Sequence, residues 1–189
     1  MKPVVLRTPR LVLSTPVAAD VPAVFRHCQD PELQRWTTVP VPYTTEDART
    51  FVEEFVPASW HDGTEAVLAL RPAGGSELMG VVSWQRRRGY VGYWMGAEHR
   101  GHGYMAEALR ALVEWVLGPE HDVSALRWEC VEGNIGSAHA ARAAGFRWAG
   151  YGPCDVVDRD GSHPPGWHAE LRRADLGTVE AIDRWPVLA

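Results

Sequence analysis

Hydrophobic and polar positions change period along this chain, and each change predicts an element. From Arg10 to Ser14 the residues alternate, as in a short strand with one buried face. Asp20 is a plausible N-cap, Pro22 stands in the first turn of a helix carrying Val24, Phe25 and Cys28, and Asp30-Pro31 ends or breaks it. Glu32 to Tyr43 is rich in Pro and Thr. Thr44 and Asp47 then resemble a capping box ahead of Ala48, Phe51, Val52 and Phe55 at helical spacing, predicting a second helix closed by Pro57. Glu65 to Leu70 and Leu78 to Gln85 read as strands joined through Pro72-Ala-Gly-Gly-Ser76, and Arg86-Arg-Arg-Gly89 turns the chain into the next strand.

The densest pattern runs from Val91 to Leu117. Aromatic and β-branched residues from Tyr90 to Met95 predict a half-buried strand that stops at Gly96. After Arg100-Gly-His-Gly-Tyr-Met105, the residues Met105, Leu109, Leu112, Val113 and Val116 give a helix one apolar face to dock on the sheet. Its first N–H groups are unpaired at the positive end of the helix dipole, so an anion is the expected occupant. Gly101 and Gly103 let the backbone approach that anion and accept positive φ. No Gly-Lys-Ser/Thr follows, and the third glycine of a dinucleotide fingerprint is missing.

Beyond Gly118-Pro119, Ala125 to Val131 predicts a strand, and Asn134 or Ser137 caps a short Ala-rich helix ended by Gly145. Phe146 to Tyr151 and Trp167 to Arg172 are the last strands, separated by the polar loop Asp158 to Gly166. The order is β, α, α, three antiparallel strands, α, β, α, β, β.

Composition narrows the class. A length of 189 residues suits one domain, and a formal net charge of −5 argues against a general nucleic-acid binder. The N-terminus lacks the apolar core of a signal peptide and no apolar run approaches about 18 residues, so a cytoplasmic protein without a membrane span is expected. Cys28, Cys130 and Cys154 are too few and too scattered for a disulfide framework, and His61, His99, His102, His121, His139 and His163 form no recognised metal pattern.

The segment Arg100 to Met105 resembles the pyrophosphate-binding signature of the GNAT family of N-acetyltransferases, in the Arg-Gly-x-Gly-Tyr form of its ribosomal-protein-alanine (RimJ/RimL-like) branch. Leu6-Arg-Thr-Pro-Arg-Leu-Val-Leu13, Pro42-Tyr-Thr-Thr-Glu-Asp-Ala48, Asn134-x-x-Ser137 and Ala144-Gly-Phe146 extend the resemblance over nearly the whole chain. It implies an α/β (α+β) fold with a mixed, mostly antiparallel sheet of six to seven strands, a splayed central strand and helices on both faces. One domain would span residues 1–175, with a C-terminal tail at 176–189.

The resemblance also implies roles. Backbone N–H groups from Arg100, Gly101, His102, Gly103, Tyr104 and Met105 would hold the diphosphate of acetyl-CoA, with no metal. Its pantetheine would pair along Trp94, Met95 and Gly96, an N–H near Met95 facing the thioester oxygen, and Asn134 would contact the same arm. Ser137 would protonate the leaving thiolate, with Tyr151 as fallback. A lysine acceptor needs a base, whereas an N-terminal amine, titrating at about 8, needs little help. Asp155 stands about where the branch places an acid, with Glu129, His168 or water as alternatives; Trp167-His168 stands where relatives carry an aspartate.

The acceptor would be a peptide N-terminus or a small amine such as an antibiotic or polyamine. A non-catalytic acyl-CoA sensor of the same fold, and a nucleotide binder, stay open, as do monomer and homodimer.

Overall fold

A computed structural model describes residues 1–177 and 185–188. The strands are β1 (Leu6–Arg7), β2 (Leu11–Ser14), β3 (Glu65–Pro72), β4 (Gly80–Gln85), β5 (Tyr90–Met95), β6 (Ala125–Val131), β7 (Arg147–Pro153) and β8 (Pro165–Arg172). The helices are α1 (Val21–Cys28), α2 (Pro31–Trp36), α3 (Thr45–Arg49), α4 (Val56–Asp62), α5 (Tyr104–Val116) and α6 (Ile135–Ala143). The eight strands form one sheet in the order β1-β2-β3-β4-β5-β6-β8-β7. Every pairing is antiparallel except β5 with β6. Ala66 to Leu70 and Gly80 to Trp84 are buried without alternation, so both faces of the sheet centre are covered. Leu109, Leu112 and Val116 of α5 join that core, as do Ala48, Val52 and Val56 from the α3–α4 stretch.

Four details differ from the sequence-based expectation. The sheet has eight strands, not six to seven, because Leu6 and Arg7 fold back onto Leu13 and Val12. Two residues are too few to show a period. The Pro/Thr-rich stretch begins with α2: Asp30 caps it by accepting from the Glu32 N–H at 3.1 Å, so Asp30-Pro31 starts a helix as well as ending one. Pro57 does not close the second helix. A π-helical segment at Thr50–Phe55, in which Val56 N–H reaches back to the Phe51 carbonyl, places Pro57 in the first turn of α4. There its missing donor costs little.

Asp20, finally, caps α1 with no side-chain bond. Its carboxylate instead accepts from the Val17 N–H at 2.8 Å and takes a two-pronged contact from Arg71, at 2.8 and 2.6 Å. The pair ties α1 to β3 and is almost enclosed, with 5% of the Asp20 side chain and 11% of the Arg71 side chain exposed.

At the far end Trp185 is buried, its ring 5.3 Å from Trp128 and 5.6 Å from Trp148. Of the segment expected as a tail, residues 178–184 and 189 lie outside the described residues. Among those described, no helix is long and apolar enough to cross a membrane.

Asp20→Ala should cost about 3 kcal/mol of unfolding free energy in urea titrations, because it leaves a desolvated guanidinium unpaired. The double variant Asp20→Leu, Arg71→Met should recover most of that loss.

Candidate active site

Strands β5 and β6 share one register pair, Tyr90 with Arg127, where the Arg127 N–H donates to the Gly89 carbonyl at 2.8 Å. Beyond it they part. The gap opens a cavity of about 920 Å³ bounded by α2, β5, the glycine loop, β6 and α6. What spans the gap is side-chain chemistry. Trp128 Nε1 donates to the Tyr93 Oη at 2.7 Å, and the Tyr93 hydroxyl donates to the Ser137 carbonyl at 2.8 Å. Ser137 Oγ donates to the same Tyr93 Oη at 3.0 Å. Tyr93 is partly buried on the cavity wall, and desolvation pushes its ionisation far up, so it remains a neutral phenol. Sequence reasoning placed Tyr93 on the strand but missed this junction, because only the register of β5 against β6 brings it to Trp128.

At the wide end of the gap, Gly101 and Gly103 adopt φ of +79° and +74°, and α5 begins with no side-chain cap. A Cβ on Gly101 would meet open space, so a bound group can approach the backbone there. Glu107 in the first turn of α5 would oppose an anion, but it is committed elsewhere. It accepts from Thr8 Oγ1 at 2.5 Å, Arg10 N–H at 3.1 Å and Arg10 Nε at 2.6 Å. Burial alone would raise its pKa, yet these donors together hold the carboxyl below its ordinary range. Arg10 also donates to the His102 carbonyl and lies over the Tyr104 ring.

Of the residues expected at the donor site, Trp94, Met95, Arg100, Gly101, Gly103, Tyr104, Met105 and Asn134 line the cavity. Gly96 and His102 do not. Gly96 packs on the His27 ring, where a Cβ would stand 2.4 Å from Nδ1, and His102 stacks on Tyr104. Arg100 turns inward: Nε donates to the Met95 carbonyl at 3.0 Å and Nη2 to the carboxylate of Asp30, the residue that caps α2.

At the other end, Ser137 lines the cavity, its N–H held by Asn134 Oδ1 at 3.1 Å. Tyr151 is 62% exposed and packs edge-on against Trp148, away from the cavity. Glu129 reaches the lining with 6% of its side chain exposed. Its two oxygens accept from the backbone N–H groups of Asp155 and Val156, both at 3.0 Å, and His168 Nδ1 lies 3.9 Å away. The Asp155 carboxylate is turned elsewhere, held below the usual range by Tyr90 and by Arg88 at 3.4 Å. Burial pushes the Cys28 and Cys154 thiols up to about 11 and the Cys130 thiol higher, so none is a ready nucleophile.

Helix α2 roofs the cavity, with Trp36 against Gly133. The β7–β8 loop closes on its C-terminal end, where Arg159 Nη2 donates to the carbonyls of Gln34, Thr37 and Val39 at 2.7, 3.1 and 2.9 Å.

The model of the acetyltransferase (GNAT) domain family matches residues 10–147. Solved structures share the fold at low identity. A candidate ribosomal-protein-serine acetyltransferase from Vibrio cholerae is 21% identical with a TM-score of 0.78, over 91% of this chain and 99% of its own. The ribosomal L7/L12 α-N-protein acetyltransferase RimL, in complex with coenzyme A, is 20% identical with a TM-score of 0.76, over 89% and 98%. The microcin C7 self-immunity acetyltransferase MccE, in complex with acetyl-CoA and AMP, is 17% identical with a TM-score of 0.74, over 87% and 93%. No curated protein matches in sequence.

Tyr93→Phe should destabilise the fold by about 1–3 kcal/mol in urea titrations, since Trp128 Nε1 would be buried without its acceptor. Because the folded Glu107 pKa is depressed, its contribution is present above its unfolded pKa of about 4.3 and lost as pH falls through the lower folded value. Stability curves between those values should therefore be flatter in Glu107→Gln than in the parent.

Proposed function

Because the chain belongs to the GNAT acetyltransferase family, we propose that it moves the acetyl group of acetyl-CoA to a primary amine by direct transfer in a ternary complex. The observation that carries this reading is the gap between β5 and β6. It runs from the uncapped start of α5, which suits a diphosphate, to Glu129 and Ser137, which suit proton transfer. Backbone groups of β5 that face no strand are available to an extended pantetheine arm, as in strand addition. An N–H near Met95 would polarise the thioester carbonyl.

In this reading Glu129 takes the role of base that the family resemblance assigned first to Asp155. It alone of the two lines the cavity, while Asp155 supplies a backbone N–H that orients it. Ser137 turns its O–H from Tyr93 toward the gap, gives that proton to the leaving thiolate and is reprotonated by the proton taken from the amine, relayed through water. The acceptor class is a protein N-terminus or a small-molecule amine. Among the low-identity relatives, RimL is an α-N-protein acetyltransferase, which favours the protein N-terminus.

Calorimetry with acetyl-CoA, followed by thiol release across peptide N-termini and small amines, tests the proposal. Micromolar binding with acceptor-dependent release is expected; binding with no release on any amine would favour the acyl-CoA sensor. Glu129→Gln should lower kcat about 100-fold while leaving acetyl-CoA affinity unchanged. A matching loss in Asp155→Asn but not in Glu129→Gln would return the base to Asp155.

A further inference from the structure

Three metal-ligating side chains meet just before the glycine loop: Glu98 and His99 adjoin in the sequence, and His27 reaches them from α1. His27 lies in the last turn of α1 with 1% of its side chain exposed. Its Nε2 lies 2.9 Å from the Leu78 carbonyl, which can only accept, so that nitrogen carries the hydrogen. The Nδ1 lone pair of the neutral ring then faces Glu98, with Oε1 at 3.6 Å. His99 Nε2 lies 3.9 Å from the same oxygen and is buried without a hydrogen-bond partner. The three ligand atoms all fall within 4.8 Å of one another, and neither imidazole–carboxylate separation is short enough for a hydrogen bond.

Gathered but unbonded, these groups have the make-up of a metal centre. We propose that His27, Glu98 and His99 form a site for a borderline divalent transition ion of the Zn²⁺ class. Two imidazoles and one carboxylate suit such an ion and not Mg²⁺, which prefers oxygen ligands. With bonds of about 2.0–2.2 Å, tetrahedral ligand atoms stand about 3.4 Å apart, so a modest closure is needed. The half-exposed Glu98 side chain can supply it and leaves a side open to water. The Leu78 carbonyl plays the orienting part that outer partners play for metal-bound histidines. Gly96 packs against the His27 ring and restricts its rotation.

One cation already stands near. Arg26 Nε is 3.8 Å from Glu98 Oε1, but its Nη2 is 3.1 Å from Glu77 Oε1, so the guanidinium keeps a partner when an ion enters. The ion would tie α1 to the turn at Ala97–His99 that leads into Arg100, and His99 itself lines the cavity. The site does not depend on which group the cavity transfers.

The test is calorimetric titration of the chelator-treated full chain with zinc sulfate, with magnesium chloride alongside and cobalt(II) absorption as a reporter of coordination. One zinc should bind with no response to magnesium, and the cobalt complex should give intense tetrahedral bands. Affinity should fall at least tenfold in Glu98→Gln and in His99→Ala, stay unchanged in the exposed-histidine control His61→Ala, and rise in Arg26→Gln, where the competing charge is gone. Circular dichroism establishes that each variant is folded. Absence of zinc binding by the parent, or equal affinity in folded Glu98→Gln and His99→Ala, overturns the proposal.

Discussion

A sheet that parts in its middle leaves backbone N–H and C=O groups facing no strand, and inside a protein such groups need another partner. Everything around β5 and β6 answers that constraint. At the closed end one register pair holds the strands together, and beyond it the Tyr93 hydroxyl, Trp128 indole and Ser137 close the protein side of the gap. What remains open is the backbone edge itself. The family's substrate carrier has a long arm of amides, so the same opening that weakens the sheet makes room for a ligand that can restore the missing bonds.

Charge is arranged to match. Around the start of α5 the acidic Glu107 is turned onto Thr8 and Arg10, leaving the helix end electropositive, while Glu129 stays at the far end under two backbone donors. An anion and a proton acceptor would repel if they shared one place. The length of the cavity keeps them apart.

Where local patterning decides structure, the chain could be read directly. Helix α5 follows from five apolar residues at helical spacing, and the loop from two glycines that adopt positive φ. The splay, by contrast, has no signature in either strand, since β5 and β6 look like any half-buried pair. The family resemblance put Asp155 ahead of Glu129; in the fold Glu129 stands at the cavity, while Tyr90 and Arg88 draw Asp155 aside. Tyr93 went unremarked because a buried strand tyrosine is ordinary until its neighbours are known. The π-helical turn before Pro57 and the short α2 depend on bonds that spacing does not encode. His27 joins the adjacent pair Glu98 and His99 only through folding, so no motif search would link the three.

Asp30 holds two posts with one carboxylate: one oxygen caps α2, the other receives Arg100. A helix of six residues has little standing of its own, so the roof of the cavity borrows its position from the glycine loop. Roof and loop are therefore not separate modules. Change at the roof can proceed through α2 side chains such as Glu32 or Trp36, but position 30 is shared ground, where a change made for the roof is inherited by the loop.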